Sequence, residues 1–292
     1  MTTLTPEAAS DLFRREPDRY LDVGAGEAAH RCVGSGPDVL FVHGWPVSGA
    51  TFRTLLPYLV DHVRCHVVDL PSSGSSRFDA GTPMSIDQHI TTVQRVVDLL
   101  ELESVAVVGH DSGGMIARHA MVGDPRLRAM GLVDTEPPDP SWRFRSFIAA
   151  RHLPGLSAGL GWVAGTPRIR RLRMVFGDAF ADRSLLDGEF DEFFLRPLHD
   201  SALHRDAAVK LLRSFDMSQV TELTSIHRRL DVPVQLVWGD QDPFFPVERA
   251  RAMVPTFPDA RLDVIEGVGL FAHEEAPAAV AAALLPALTG AR

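Results

Sequence analysis

Short, nearly unbroken apolar runs alternate with longer stretches of helical periodicity, and this alternation constrains the chain more than any other feature. The runs are Asp38–Val42, Val63–Asp69, Val105–Val108 and Met130–Asp134. Between them, Ala50–Val60, Ser85–Leu102 and Met115–Met121 carry apolar residues at helical spacing. Strands that are apolar on both faces, each followed by a helix, predict a parallel sheet covered on both sides. The pattern stops at Glu136-Pro137-Pro138-Asp139-Pro140, and from Ser141 to about His227 only helical periodicity remains. It resumes with a strand over Pro233–Trp238, a helix over Val247–Met253, a strand over Arg261–Ile265 and an Ala-rich helix over Pro277–Leu288. The expectation is an α/β core of residues 1–137 and 228–292, split by a helical lid over 138–227 above the carboxyl ends of the strands.

Composition narrows the function. With 45% hydrophobic and 23% charged residues in a chain of 292, disorder is excluded and one well-buried core is within reach. A net charge of −9 without a concentrated basic face argues against a nucleic-acid partner. Two cysteines, Cys32 and Cys65, exclude a disulfide framework and a thiolate metal site, and neither metal nor cofactor is expected. Met1–Arg15 lacks the apolar segment of a signal peptide and no run of about twenty apolar residues occurs, so a soluble cytoplasmic protein is expected. The expected partner is a small-molecule substrate, with a homodimer as the one assembly considered.

The chemistry concentrates at Gly109-His110-Asp111-Ser112-Gly113-Gly114, which joins a strand to a helix. In a nucleophile elbow the residues two before and two after the nucleophile must be small. Asp111 satisfies this with Gly109 and Gly113. Ser112 would place His110 and Gly114 there, and a histidine fits poorly. Asp111 is therefore favoured as nucleophile, with a serine esterase using Ser112 as the alternative. A glycine-rich turn without chemistry would read the same in isolation, but supporting motifs follow in order.

Together, the strand order, this elbow, the His43-Gly44-Trp45-Pro46 loop and the helical insertion resemble the α/β-hydrolase superfamily. The Gly-His-Asp-x-Gly-Gly elbow resembles its Asp-nucleophile branch, the haloalkane and haloacetate dehalogenases and epoxide hydrolases. The resemblance implies a carboxylate attack on a saturated carbon of a small apolar halide or epoxide, an alkyl ester on Asp111, and hydrolysis by His-activated water. By the same resemblance, the backbone N–H groups of Trp45 and Ser112 hold the oxyanion, and the helix beginning at Ser112 keeps Asp111 ionised. Asp242, three residues after Gly239, would be the acid that orients a histidine, with Asp134 or Glu136 as the other location. The usual histidine position is Leu270. His273, three residues later, is the only histidine on that loop and is taken as the base; without it the chain would be a non-hydrolytic enzyme or a small-molecule binder.

Around the pocket, the indole of Trp45 together with Trp142 or Trp162 is a candidate halide cradle. A lid histidine such as His152 would have to replace the absent lid tyrosines of epoxide hydrolases, and His43 reads as a hydrogen-bonder of its own loop. Lid phenylalanines 144, 147, 176, 193 and 194 suggest an apolar pocket.

Overall fold

The computed structural model describes residues 4–173 and 175–290. Among these, eight strands form one sheet: β1 (Arg19–Asp22), β2 (Glu27–Gly34), β3 (Asp38–Val42), β4 (Arg64–Asp69), β5 (Val105–His110), β6 (Leu127–Val133), β7 (Val234–Gly239) and β8 (Ala260–Ile265). Their spatial order is β1-β2-β4-β3-β5-β6-β7-β8. The contacts of β2 with β1 and β4 are antiparallel, and all pairs from β4 to β8 are parallel. Every residue of β5 and β7 is buried, which is why these segments read as continuous apolar runs, whereas the edge strand β8 alternates Arg261 and Asp263 with apolar residues.

From β3 the chain passes to β4 on one side, and from β4 it crosses back to β5 on the other side of β3. That switch point opens a crevice at the carboxyl ends of the strands, where open α/β sheets bind ligands. The loop after β3 (His43–Pro46) and the elbow after β5 meet there.

The helices follow local signals. Ser85 caps the Ile86–Leu99 helix by accepting from the Gln88 N–H, and its buried stripe is Ile86, His89, Val93, Val96 and Val97. The helix expected over Ala50–Val60 is instead two 3₁₀ turns, Gly49–Phe52 and Leu56–Tyr58. Pro57 has no N–H and cannot continue an α-helical ladder, yet Phe52, Leu55, Leu56 and Leu59 are still completely buried. The Pro6–Arg14 helix and the β1–β2 ribbon are additions that the polar N-terminal sequence did not announce.

Between β6 and β7 the chain runs through helices including Trp142–Ala149, Leu156–Ala164 and Ala202–Ser214, which cover the crevice. An ion-pair network fastens them to the core. Arg14 bonds Glu189 and Glu192, and the buried Arg53 joins Glu189 to Glu274. No described helix is long and apolar enough to cross a membrane.

Candidate active site

β5 ends at His110, and the next residue turns sharply. Asp111 has φ +51° and ψ −135°, and the helix Ser112–Met121 begins immediately after it. A side chain other than glycine rarely accepts such a backbone, which costs on the order of 1–3 kcal/mol. Surrounding contacts over-determine it. The Asp111 N–H donates to the Asp134 carbonyl at 3.0 Å, while its own carbonyl accepts from the Gly114 N–H at 2.9 Å and from Thr135 Oγ1 at 2.7 Å. Glycines make the turn sterically feasible: a Cβ on Gly109 would stand 2.5 Å from the Gly114 Cα. The strained elbow position therefore belongs to Asp111, and Ser112 is the first helical residue.

One carboxylate oxygen of Asp111, Oδ2, accepts the Trp45 N–H at 2.8 Å. Burial pushes the Asp111 pKa well above its ordinary value and the nearby Glu136 carboxyl adds to this, while the backbone N–H groups of Ser112 and Trp45 pull in the other direction. The helix N-terminus thus does not by itself restore an ordinary carboxylate, contrary to the sequence expectation. Ser112 Oγ lies 3.4 Å from Asp111 Oδ2 and has no histidine partner.

Gly44 lets its loop approach this carboxylate. A Cβ there would lie 2.8 Å from Asp111 Cγ. Gly44→Ala is expected to displace the carboxylate while leaving the sheet intact. Because misplacement by about 1 Å costs roughly 100-fold in rate, alkylation of Asp111 by n-butyl iodide, followed by intact mass, should slow by about that factor.

Above the carboxylate is a cavity of about 460 Å³ enclosed by the lid. Phe144, Phe147, Phe176 and Phe194 line it, whereas Phe193 packs against Phe13 and the Arg14 and Arg53 guanidiniums instead. Asp111, Ser112 and Glu136 supply its carboxyl and hydroxyl groups, and among the described residues no histidine lines it.

The histidine nominated as base is elsewhere. His273 is completely buried on the short helix Ala272–Glu275, its Nε2 2.8 Å from Thr51 Oγ1 and its Nδ1 without a partner. Its backbone carbonyl accepts from Thr54 Oγ1, and its ring packs on Phe52 and His110. Burial lowers its pKa well below the usual histidine value. Leu270 occupies the cavity wall in its stead, with its carbonyl 3.0 Å from His110 Nε2. Asp242 likewise does not orient a histidine. Its Oδ1 accepts the Phe244 and Phe245 N–H groups at 2.8 and 3.0 Å, and its Oδ2 is buried without a partner. Burial pushes the Asp242 pKa up to about 7. Asp111, His273 and Asp242 are therefore not assembled as a hydrogen-bonded triad.

Other expectations for the pocket also change. The Trp45 indole N–H donates to the Ala208 carbonyl of the lid at 2.9 Å, so it holds the lid and does not point at a leaving group. Trp142 is 71% exposed and His152 is exposed, and neither lines the cavity. Trp162 does line it, at an exposed rim. His43 is structural: its Nε2 accepts the Leu70 N–H at 2.9 Å and its Nδ1 lies 2.9 Å from the Gly44 carbonyl.

Two residues of the site escaped the sequence reading. Arg118, completely buried one helical turn beyond Gly114, donates to the carbonyls of Gly114 and Glu136 and to Thr135 Oγ1. Thr135 Oγ1 in turn lies 2.9 Å from Glu136 Oε2. A buried arginine four residues after an elbow glycine was the available signal.

Comparison with known proteins agrees with this architecture. The sequence profile of the alpha/beta hydrolase family matches residues 39–283. The chain is 26% identical over 241 residues to a pimeloyl-[acyl-carrier protein] methyl ester esterase of Chromobacterium violaceum, covering 79% of this chain and 85% of that one. It is 25% identical over 291 residues to haloalkane dehalogenase 2 of Mycobacterium tuberculosis, covering 91% and 93%. Among solved structures, the epoxide hydrolase CorEH superposes with a TM-score of 0.77 at 18% identity, over 94% of this chain and 99% of that chain, a likeness of fold. The chain belongs to the alpha/beta hydrolase family.

Proposed function

We propose that the protein is a hydrolase whose Asp111 carboxylate attacks a saturated carbon of a small apolar substrate and forms a covalent alkyl ester. The observation that carries this reading is the position of Asp111. It occupies the strained elbow at the floor of an apolar cavity, with one oxygen held by the Trp45 N–H. In this reading the free oxygen attacks, and the held oxygen becomes the ester carbonyl. Water adding to that carbonyl generates an oxyanion in the same N–H groups, so stabilisation is already in place for the second step.

A serine esterase is the less favoured reading, although the methyl ester esterase relative points toward it. A serine hydroxyl needs a base to become a nucleophile, and Ser112 Oγ has only the Asp111 carboxylate nearby. Asp111 needs none once ionised, and the Ser112 and Trp45 N–H groups favour that form against burial. A panel of styrene oxide, n-butyl iodide and p-nitrophenyl butyrate, assayed with wild type and Asp111→Asn, tests the choice. The expected result is reaction with the epoxide or iodide that Asp111→Asn abolishes, with intact mass and peptide mapping placing any adduct on Asp111. Activity confined to the ester and surviving Asp111→Asn would replace this reading with the serine one.

A further inference from the structure

The cavity above Asp111 is polar on one side only. Its carboxyl and hydroxyl groups are those of Asp111, Ser112 and Glu136, which belong to the core just after β5 and β6. The lid side is apolar and largely aromatic, with Phe144, Phe147, Phe176 and Phe194 in its wall. The Trp45 indole N–H is already taken by the Ala208 carbonyl. The volume is about 460 Å³. A water molecule takes up roughly 30 Å³ in the liquid, so this space holds on the order of 15 non-hydrogen atoms, and n-butyl iodide would occupy only about a third of it.

Among the described residues, no arginine, lysine or histidine side chain lines this cavity. The buried Arg118 lies behind Thr135 and Glu136, and its N–H groups are engaged by the carbonyls of Gly114 and Glu136, by Thr135 Oγ1, by His227 Nε2 and by Met253 Sδ. A guanidinium has five such donors, so none is left for a ligand. An anionic group on the substrate would sit between apolar walls, above two carboxyls, without a counter-charge, and an unpaired buried charge is strongly unfavourable. Of the lining residues described, Gly159 and Trp162 are the exposed ones. They lie three residues apart on the helix Leu156–Ala164, hence on one face, and mark the mouth. A Cβ on Gly159 would meet no atom within 4 Å. The mouth is therefore in the lid and the carboxyl-bearing floor in the core.

We infer that the substrate is a molecule without an anionic group, with an apolar body of on the order of 15 non-hydrogen atoms and its electrophilic carbon at one end. For the reacting end this rests on the proposed Asp111 chemistry; for the body it rests on the cavity alone. The electrophilic end enters first and meets Asp111 at the floor, while the body remains against the lid phenylalanines. Each methylene moved from water into such a wall strengthens binding by about three- to fourfold. Affinity is therefore governed by how much of the cavity the body fills.

Unreactive alcohols test the body separately from the chemistry. Titration calorimetry should find 1-octanol bound on the order of 100-fold more tightly than 1-butanol, the sum of four methylenes, with the weaker ligand measured by competition against 1-octanol. A difference below about tenfold would overturn the inference. Val209 is buried in the lid and lines the cavity. Val209→Phe should fill part of the space and lower the octanol-to-butanol ratio by at least about fivefold; an unchanged ratio would place the alcohol elsewhere and overturn the inference. Should that variant not fold, the wild-type series decides by itself. Alkylation of Asp111, followed by intact mass, tests the reacting end, where the carboxylate displaces iodide and becomes an alkyl ester. n-Octyl iodide should react faster than n-butyl iodide by a factor similar to that of the alcohols. 3-Iodopropionate, whose charge lies inside the cavity whenever its iodo carbon reaches Asp111, should react at least about 100-fold more slowly than n-butyl iodide. Comparable rates for those two would refute the exclusion of anions. If the alcohols bind as expected and no iodide labels Asp111, the Asp111 reading fails while the assignment of the cavity holds, so the two failures are distinguishable.

Discussion

Asp111→Asn should abolish turnover, by at least about 10⁴-fold, without unfolding the protein. Asparagine is one of the few side chains that tolerates the left-handed region, so the elbow backbone at φ +51° can persist. Its amide oxygen can still accept the Trp45 N–H that now binds Asp111 Oδ2. What disappears is the nucleophile, and loss of a group that forms the covalent intermediate costs four to six orders of magnitude, on the order seen for nucleophile knockouts generally. The variant also removes a buried acid crowded by Glu136 and Asp242. Thermal stability should therefore equal or exceed that of wild type, the usual consequence of neutralising a strained active site. The decisive measurements are initial rates with styrene oxide, adduct mass with n-butyl iodide, and the melting temperature of the same preparation. Retained rate with unchanged fold would remove Asp111 from the chemistry.

Asp242→Asn should change how stability depends on pH. Burial is the first cause of the raised Asp242 pKa, opposed by the N–H groups of Phe245 and Phe244 and then by Arg143. The folded protein holds this proton up to about pH 7, whereas the ordinary value for the unfolded chain is 3.8. Between those values the folded state binds more protons than the unfolded state, so stability is fully present below the lower value and is lost as pH rises through the upper one. From about pH 5 to about pH 8 this amounts to about 3 kcal/mol for the single group. Asp134, raised by burial and by Asp242, contributes a slope of the same sign. Buried histidines act oppositely: His110 is lowered to about 3 and His89 to about 4, so their contribution grows as pH rises toward 6.5. The wild-type curve sums these contributions, and the difference between wild type and Asp242→Asn reports Asp242 together with the relief of Asp134 and Asp111, whose pKa values its charge raises, an effect of the same sign. Urea unfolding at the two pH values should show the variant gaining about 3 kcal/mol relative to wild type on going from acid to alkali. An unchanged difference would mean that Asp242 is ionised throughout.

Much of the site is legible in the sequence because it is governed by local sterics. Gly109 and Gly113 flank the one position where a strand can turn at once into a helix, and that reasoning selects Asp111 for the elbow over Ser112. The departure at Leu270 was visible as well, and the structure puts that side chain in the cavity wall. Asp242 follows the end of β7 at Gly239, as the spacing predicts, but its carboxylate bonds to its own turn instead of to a histidine. The Ala50–Val60 segment misled for a simple reason: its apolar spacing reflects burial, while Pro57 forbids the helix.

By itself, then, the sequence determined the α/β sheet, its helical interruption, the elbow and the absence of a histidine at the usual place, because periodicity, glycine positions and loop lengths act over a few residues. Where side chains point was decided only in the tertiary structure. His273 turns away because Thr51, 222 residues earlier, meets its Nε2. The Trp45 indole is taken by Ala208, 163 residues later. Arg118 and the Asp111 carbonyl, from two different elements, converge on Thr135 Oγ1. A buried polar group must find a partner wherever the fold supplies one, and that partner comes from a distant segment whose arrival no local pattern announces.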